Sequence, residues 1–357
     1  MTMRLRRYLP VIVSALMVVG IQAALSAGGA TYYMTAITMS AYYALVVIGL
    51  CLLMGYAGQV SLGHAGFFAI GGYTSAVLTT YNLIAYHDAP LVTWAKSLGL
   101  LFQRQDIYGA TILSVSPWPA FIAALVFAVV IAFLIGLPVL RLKGHYLAMA
   151  TLGFGLIIYR IVGAARIFGQ ADGIWNVPPF SLVGGLEVNG RPAFRVENYY
   201  IAWAAVLAAM VLAVNLVGSR VGRALRSIHQ NEEAAHSLGI DTYRYKLATF
   251  VLSAFVAAAG GALLTHYNGG INPEQVTVTQ SVRYVAIVAV GGMANLWGAL
   301  VMGIVLNYLS LRDYFGTYND IVFGAVLVGV MIFAPRGLVR APRLAAVRSL
   351  LSRRRHG

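Results

Sequence analysis

The chain has 357 residues, of which 60% are hydrophobic and 10% charged, and its mean hydropathy is +0.78. These values exclude an ordinary soluble globular protein. The formal net charge of +14 does not indicate nucleic-acid binding, because the basic residues are dispersed among loops that flank apolar runs. The composition predicts an all-α, polytopic membrane helix bundle that forms a single transmembrane domain over residues 1–357.

Ten apolar runs are long enough, or nearly long enough, to cross a bilayer as helices. They cover residues 10–28, 32–54, 58–80, 117–140, 145–164, 198–217, 247–267, 282–294, 297–311 and 319–335. The first run follows Arg4, Arg6 and Arg7 and ends in small residues near Ala27, so a cleaved signal peptide is an alternative. We favour a retained span, because its removal would leave nine crossings and an external N-terminus. The eighth and ninth runs are short, so the count is about ten.

Lysine and arginine set the orientation, since they stay on the cytoplasmic side of the membrane. Of the 25 basic residues, 17 fall on one side of this arrangement and seven on the other, with Arg160 near an outer helix end. Both termini are therefore expected to be cytoplasmic. The basic tail at residues 336–357 is also suited to bind anionic membrane lipid.

The run at Gly55–Leu78 carries polar residues in an otherwise apolar predicted helix. Gln59, Ser61 and His64 need partners or a water-lined path at membrane depth. Each residue alone is more typical of interhelical hydrogen bonding than of substrate contact. As a cluster, they are candidates for the translocation path.

Asn295 is a further candidate for the path. It lies in the glycine-rich stretch Gly291–Gly303, which interrupts two short apolar runs. A broken helix can expose backbone groups to a translocated solute. A tight turn between the eighth and ninth spans explains the same residues equally well.

A polar loop at residues 218–246 lies between two spans and contains a short predicted helix. Asn231 can act as the N-cap, and the charges of Glu232 and Glu233 suit the positive end of a helix. Gly239 can close the helix in the left-handed conformation, which gives it about two turns.

This short helix also has a small apolar face formed by Ala234, Ala235 and Leu238. Such a face fits a helix-in-groove contact with a cytoplasmic protein. An ordinary capped connector between two spans explains the pattern equally well.

The sequence offers no internal source of energy for transport. Its acidic residues fall in loops or at span ends, which disfavours ion coupling. A phosphate-binding loop needs Gly-Lys-Ser/Thr, and none of Lys96, Lys143 and Lys246 follows a glycine. The single cysteine, Cys51, predicts neither an internal disulfide nor a metal site. An energy source would have to lie on another subunit.

Two long loops are expected on the outer side, at residues 82–116 and 165–197. The first is suited to form an interfacial helix around Leu91–Phe102, with Trp94 at the level of the lipid headgroups. A plain loop is equally compatible with its sequence.

Five stretches of the chain resemble, in order, the permease subunits of branched-chain amino acid ABC transporters, specifically the LivM type. They are GYAGQVSLGHAGFFAIGGYTSAVL at Gly55–Leu78, RLKGHYLAMATLGFG at Arg141–Gly155, RALRSIHQNEEAAHSLGIDTYRYKLATFVLSAFVAAAGGAL at Arg223–Leu263, VGGMANLWGALVMG at Val290–Gly303 and FAPRGL at Phe333–Leu338. The resemblance extends from about residue 35 to residue 340.

The resemblance implies a multi-pass protein of the bacterial inner membrane that moves substrate and carries out no covalent chemistry. Its partners would be ATP-binding subunits, a second permease subunit, expected to be of the LivH type, and a periplasmic binding protein that delivers substrate. Glu232–Gly239 would be the coupling helix that docks on an ATP-binding subunit. No cofactor is implied.

The cargo stays open at this point. Similar permeases serve branched-chain or related amino acids, urea and short amides, and the sequence does not choose among them. An ion-coupled secondary transporter or a channel that acts alone is the alternative from another functional class.

Overall fold

The computed structural model describes residues 2–84, 89–105, 109, 111–314 and 316–333. The basic tail at residues 336–357 lies outside the described residues, as does residue 334 onward of the last family-like stretch. The described chain is largely helical, and a helix coincides with each of the ten expected spans.

The helices of the bundle alternate along the chain with short loops and polar segments. They are α1 Thr2–Ala27, α2 Tyr33–Cys51, α3 His64–Thr80, α5 Pro117–Val139, α6 His145–Ala164, α7 Arg195–Val217, α10 Thr242–Asn268, α11 Val278–Gly291, α12 Leu296–Leu311 and α13 Asn319–Phe333. Six described segments are long and apolar enough to cross a membrane, and α11, α12 and residues 319–330 of α13 are shorter apolar helices. The prediction of a polytopic helical membrane protein is confirmed.

The remaining elements lie in the loops. They are the helices α4 Pro90–Ser97, α8 Arg220–Gln230 and α9 Glu232–Ser237, and the strands β1 Leu101–Gln105, β2 Thr111–Val115, β3 Ile174–Trp175, β4 Phe180–Ser181, β5 Glu187–Val188 and β6 Gly270–Ile271. The strands form three antiparallel pairs, β1 with β2, β3 with β6 and β4 with β5. These small sheets were not predicted.

The expected interfacial helix is present as α4 but is shorter than its sequence suggested. It ends at Ser97, and Gly99 follows with a φ of +68°. Phe102 lies in β1 instead. Trp94 is 62% exposed, and its position at the level of the lipid headgroups stays a prediction.

The centre of the bundle is the contact of α10 with α3 and with α2, and α2 is buried along most of its length. Glycine allows close backbone approach at these contacts. A Cβ added to Gly71 would lie 2.1 Å from the carbonyl oxygen of Ala258, and one added to Gly261 would lie 2.0 Å from that of Phe68. Packing through small residues is the usual way in which membrane helices associate.

The third span is broken at its inner end, and the prediction that it runs from residue 58 is wrong. The chain leaves α2 through a π-helical turn at Leu52–Tyr56, and α3 begins only at His64. Gly58 has a φ of +68°, which ends the helical path. A Cβ at Gly55 would lie 1.5 Å from the carbonyl oxygen of Met293, so the turn after α11 occupies the adjacent space.

A second non-helical stretch follows α10. Gly269 ends that helix with a φ of +67°, and residues 270–277 lead to α11 through β6 and a 3₁₀ turn at Pro273–Val276. The Cδ1 of Ile271 lies 2.5 Å from a Cβ placed on Gly72, and the Ala65 N–H donates to Ser281 Oγ at 3.2 Å. The stretch therefore runs along α3 toward its first turn, and α11 begins at the depth of that turn.

We predict that Gly71→Ala destabilises the protein by about 1–3 kcal/mol, because a methyl group would push α3 away from α10. Gly153→Ala is the matched control, since a Cβ at Gly153 in α6 meets no atom within 4 Å. Thermal unfolding of the two variants in detergent should show a lower midpoint for the first only. Equal midpoints would contradict the close packing described here.

Candidate coupling and translocation sites

The short helix α9 has the caps that its sequence predicts. The Asn231 Oδ1 accepts a hydrogen bond from the Ala234 N–H at 3.0 Å. Gly239 adopts a φ of +82°, and the following N–H, of Ile240, donates to the Ala235 carbonyl at 3.2 Å. These interactions satisfy backbone groups at both ends of the helix, so α9 is a defined element rather than a passing turn.

The expected apolar face of α9 is divided between two sides of the helix. Ala235 is 2% exposed and packs toward the bundle, whereas Leu238 is 80% exposed and Ala234 is also exposed. Ala235 is thus not available to a partner, which corrects the prediction of a three-residue docking face. The free surface consists of Ala234 and Leu238 beside the exposed Glu233 and Gly239.

Glu232 connects α9 to the bundle. Its Oε2 lies 2.5 Å from Nζ of Lys246, which is on α10, and the Lys246 side chain is only 13% exposed. The charge of Glu232 is therefore already paired within the chain. The ion pair joins α9 to the first turns of α10.

The preceding helix, α8, supports α9 from the membrane side. Ser219 caps its first turn, and Leu225 and Ile228 are buried. A Cβ on Gly58 would lie 2.7 Å from Nδ1 of His229, so α8 contacts the break after α2 as well. The α8–α9 unit consequently touches two of the central elements of the bundle.

Two of the four candidate path residues are joined by hydrogen bonds. Ser61 Oγ lies 3.0 Å from His64 Nδ1, and His64 Nε2 lies 2.9 Å from Ser253 Oγ. The Ser253 hydroxyl donates to the Phe250 carbonyl, so it accepts from Nε2–H, and Nδ1 accepts from Ser61. All three side chains are at most 2% exposed. Hydrogen bonding between helices accounts for Ser61 and His64 without a substrate.

Gln59 stands apart from this chain of hydrogen bonds. It is 3% exposed, and neither atom of its side-chain amide has a partner. A buried amide with two unsatisfied groups is uncommon in a folded protein and is costly in a membrane. Of the four candidates, Gln59 is the one whose polar groups the described structure leaves unused, so its role in the path stays a prediction.

Asn295 occupies the turn between α11 and α12, where its carbonyl accepts from the Ala299 N–H at 2.9 Å. The turn packs on the inner end of α2, because the Tyr56 hydroxyl donates to the Ala294 carbonyl at 2.9 Å. The geometry is that of a tight helix-to-helix turn, the simpler of the two interpretations of this stretch.

Sequence reasoning missed the environment of Arg283. It is one of the seven basic residues counted on the outer side, and it lies in α11 with a side chain that is only 16% exposed. It donates to Ser310 Oγ at 3.2 Å and to Asp320 Oδ1 at 2.9 Å, and it lies over the ring of Phe323. The available signal was a charged residue inside the expected span 282–294, which marks a functional candidate in a membrane protein.

Within the described part of the chain, no group of three or more histidine, cysteine or acidic side chains is placed to hold a metal ion. Polar side chains, among them Gln59, Ser61 and His64, lie at or beside a break in the helices. These features define the class of protein: a multi-pass helical membrane protein with a short capped helix presented beside its basic loops.

The sequence comparisons identify the family. Residues 32–331 match the family described as branched-chain amino acid transport system / permease component. This match covers most of the chain, and the chain belongs to that family.

Several relatives resemble the chain along most of its length. LivM, the permease protein of the high-affinity branched-chain amino acid transport system of Escherichia coli K12, is 30% identical over 329 residues, covering 86% of this chain and 69% of that protein. LivM of Salmonella typhimurium is 32% identical with the same coverage. The E. coli LivH permease is 26% identical over 87% of this chain and 95% of its own length. No solved structure matches this chain.

We predict that Lys246→Met speeds amide hydrogen exchange in residues 234–238 about three- to tenfold, because it leaves Glu232 without its partner and loosens α9. Arg244→Met is the matched control. Its ion pair with Asp241 joins side chains that are 85% and 50% exposed, and such pairs contribute little. Equal exchange in both variants would show that the Glu232–Lys246 pair does not hold α9.

Proposed function

We propose that this chain is a transmembrane permease subunit of an ABC importer that carries branched-chain amino acids across the bacterial inner membrane. The observation that carries the proposal is α9. It is capped at both ends, presents an 80% exposed leucine, Leu238, and is tied to α10 through Glu232 and Lys246. Its place in a family of permease components supports the same conclusion.

The proposed assembly contains two ATP-binding subunits, two permease chains and a periplasmic binding protein. Both LivM and LivH resemble this chain over more than four fifths of its length. Two permeases with a common fold can pair around a pseudo-twofold axis. We therefore propose a LivH-type chain as the second permease and the exposed side of α9, around Leu238, as the docking surface for one ATP-binding subunit.

In this mechanism, the permease moves substrate by changing the populations of inward-open and outward-open states. ATP binding draws the ATP-binding subunits together and displaces α9. The displacement reaches α10 through the Glu232–Lys246 pair and reaches the break after α2 through α8. The chain needs no nucleotide site of its own, in keeping with its lack of a Gly-Lys-Ser/Thr sequence.

Uptake by reconstituted vesicles tests this function. We expect this chain to transport leucine only when the second permease, the ATP-binding subunits, the binding protein and ATP are all present. An excess of unlabelled valine should compete with labelled leucine, whereas urea and acetamide should not.

Leucine uptake driven by an ion gradient through this chain alone would contradict the ABC mechanism. Uptake of urea or a short amide by the full assembly, without uptake of any amino acid, would retain the ABC mechanism and overturn the proposed cargo.

A further inference from the structure

A polar cavity lies between α2, α11, α12 and the non-helical stretch after α10. Its volume is about 280 Å³, just below the usual range of ligand pockets, which begins at roughly 300 Å³. Its polar lining includes Glu274, Gln275, Gln280, Arg283, Asn307 and Ser310. It lies inside the bundle, beside Tyr43 in the middle of α2 and beside Gln280 and Arg283 near the start of α11. A small polar solute fits a space of this size and character.

One wall of the cavity is cationic and held in place. The Arg283 guanidinium is oriented by Ser310 and Asp320, while its Nε is buried and has no hydrogen-bond partner. An arginine fixed by other groups, with an N–H still free, is suited to bind a carboxylate. Its orientation before a ligand arrives reduces the entropic cost of binding.

The opposite charge is supplied by the stretch at residues 272–275. Glu274 is exposed and has no ion pair or hydrogen bond in the described structure. Asn272 also lines the cavity, and its Oδ1 is buried without a partner. These oxygens are acceptors for an ammonium group. The cavity therefore presents one positive and one negative side chain, which complement the carboxylate and the ammonium group of a zwitterion.

A second cavity of about 330 Å³ adjoins the first and shares Asn272 and Gln275 with it. Its lining is more apolar and includes Met39, Tyr267 and Ile271. Transfer of an aliphatic side chain from water into this cavity is favourable, because its lining is largely apolar. The pair of cavities thus combines a charged compartment with a largely apolar one.

We propose that these two cavities bind the transported amino acid as a zwitterion within the helix bundle of the permease. Arg283 binds the carboxylate, Glu274 and Asn272 bind the ammonium group, and the branched side chain occupies the neighbouring cavity. This site lies apart from Gln59, Ser61, His64 and Asn295. The inference rests on the proposed function and deepens it, since it assigns residues to recognition of an amino acid.

A cysteine reporter tests binding directly in the assembled transporter. The native Cys51 is fully buried, so Gln275→Cys introduces one thiol at the cavities. Millimolar leucine should slow its reaction with a water-soluble thiol reagent. Isopentylamine, which lacks the carboxylate, and 4-methylpentanoate, which lacks the ammonium group, should protect at least about tenfold less well.

Two arginine variants test whether Arg283 is responsible for the protection by leucine. Adding Arg283→Gln to the reporter should abolish protection by leucine, whereas adding Arg312→Gln, an arginine at the end of α12 that lies over Tyr32 and Tyr33, should not. No protection by leucine in the reporter alone, or equal protection by all three compounds, would overturn the proposed site.

Uptake provides a second measurement that separates recognition from folding. Glu274→Gln removes a charge without breaking a hydrogen bond or ion pair seen in the described residues, so the complex should still assemble. Leucine uptake should fall about tenfold. Unchanged uptake in Glu274→Gln would overturn the role of this residue. An unaltered transporter that carries no amino acid would overturn the proposed function instead, and this site with it.

Discussion

Backbone groups at membrane depth must find partners inside the protein, and this constraint shapes the region where α3 begins. Two non-helical stretches, residues 57–63 and 270–277, lie beside that helix. The Leu62 N–H donates to Thr151 Oγ1 of α6, and the Ala65 N–H donates to Ser281 Oγ of α11. Side chains of neighbouring helices thus replace the hydrogen bonds that the breaks remove. The polar residues in these helices are therefore part of the fold, and only those left unpaired are free for a solute.

A series of contacts leads from α9 on the inner surface, through α10, to the start of α3. Lys246, which binds Glu232 of α9, is seven residues before Ser253 on α10, and Ser253 bonds to His64 at the start of α3. Seven residues of helix span about 10 Å and return to nearly the same face. Lys246 and Ser253 therefore place the contact with α9 and the contact with the helix break on one side of α10. In the proposed transporter, this connection joins docking of the ATP-binding subunit to movement around the break.

Much of the fold follows from the sequence, because apolar length and basic-residue bias dictate where helices cross a membrane. The caps of α9 were also predictable, since Asn231 and Gly239 act through local backbone geometry. The break at residues 57–63 was not, because the segment lies within a run that is apolar enough for a continuous helix. The left-handed φ of Gly58 and the approach of Met293 to Gly55 are visible only in the fold. The division of the α9 face was likewise hidden, as the side that packs on the bundle depends on tertiary contacts.

The surroundings of the candidate path residues also depend on tertiary contacts that the sequence does not show. His64 and Ser61 were recognisable as polar residues in an apolar segment, but their partner Ser253 is 189 residues from His64 in sequence and comes close only in the fold. Arg283 lies at the start of the expected span 282–294 and Glu274 in the segment before it, and nothing in the linear sequence brings the two together. Their joint position at a cavity depends on the non-helical stretch that lowers α11 into the bundle.

The most direct test of the central claim is cross-linking from α9. Leu238→Cys places an accessible thiol on the exposed side of this helix, since the native Cys51 is buried. In membranes that contain the full transporter, a short bifunctional thiol reagent should link this position to a cysteine in the ATP-binding subunit, with a yield that changes when ATP is added. Leu186→Cys, on an outer loop, should give no such product. Absence of a cross-link from residue 238, with assembly intact, would contradict the claim that α9 couples this permease to ATP hydrolysis.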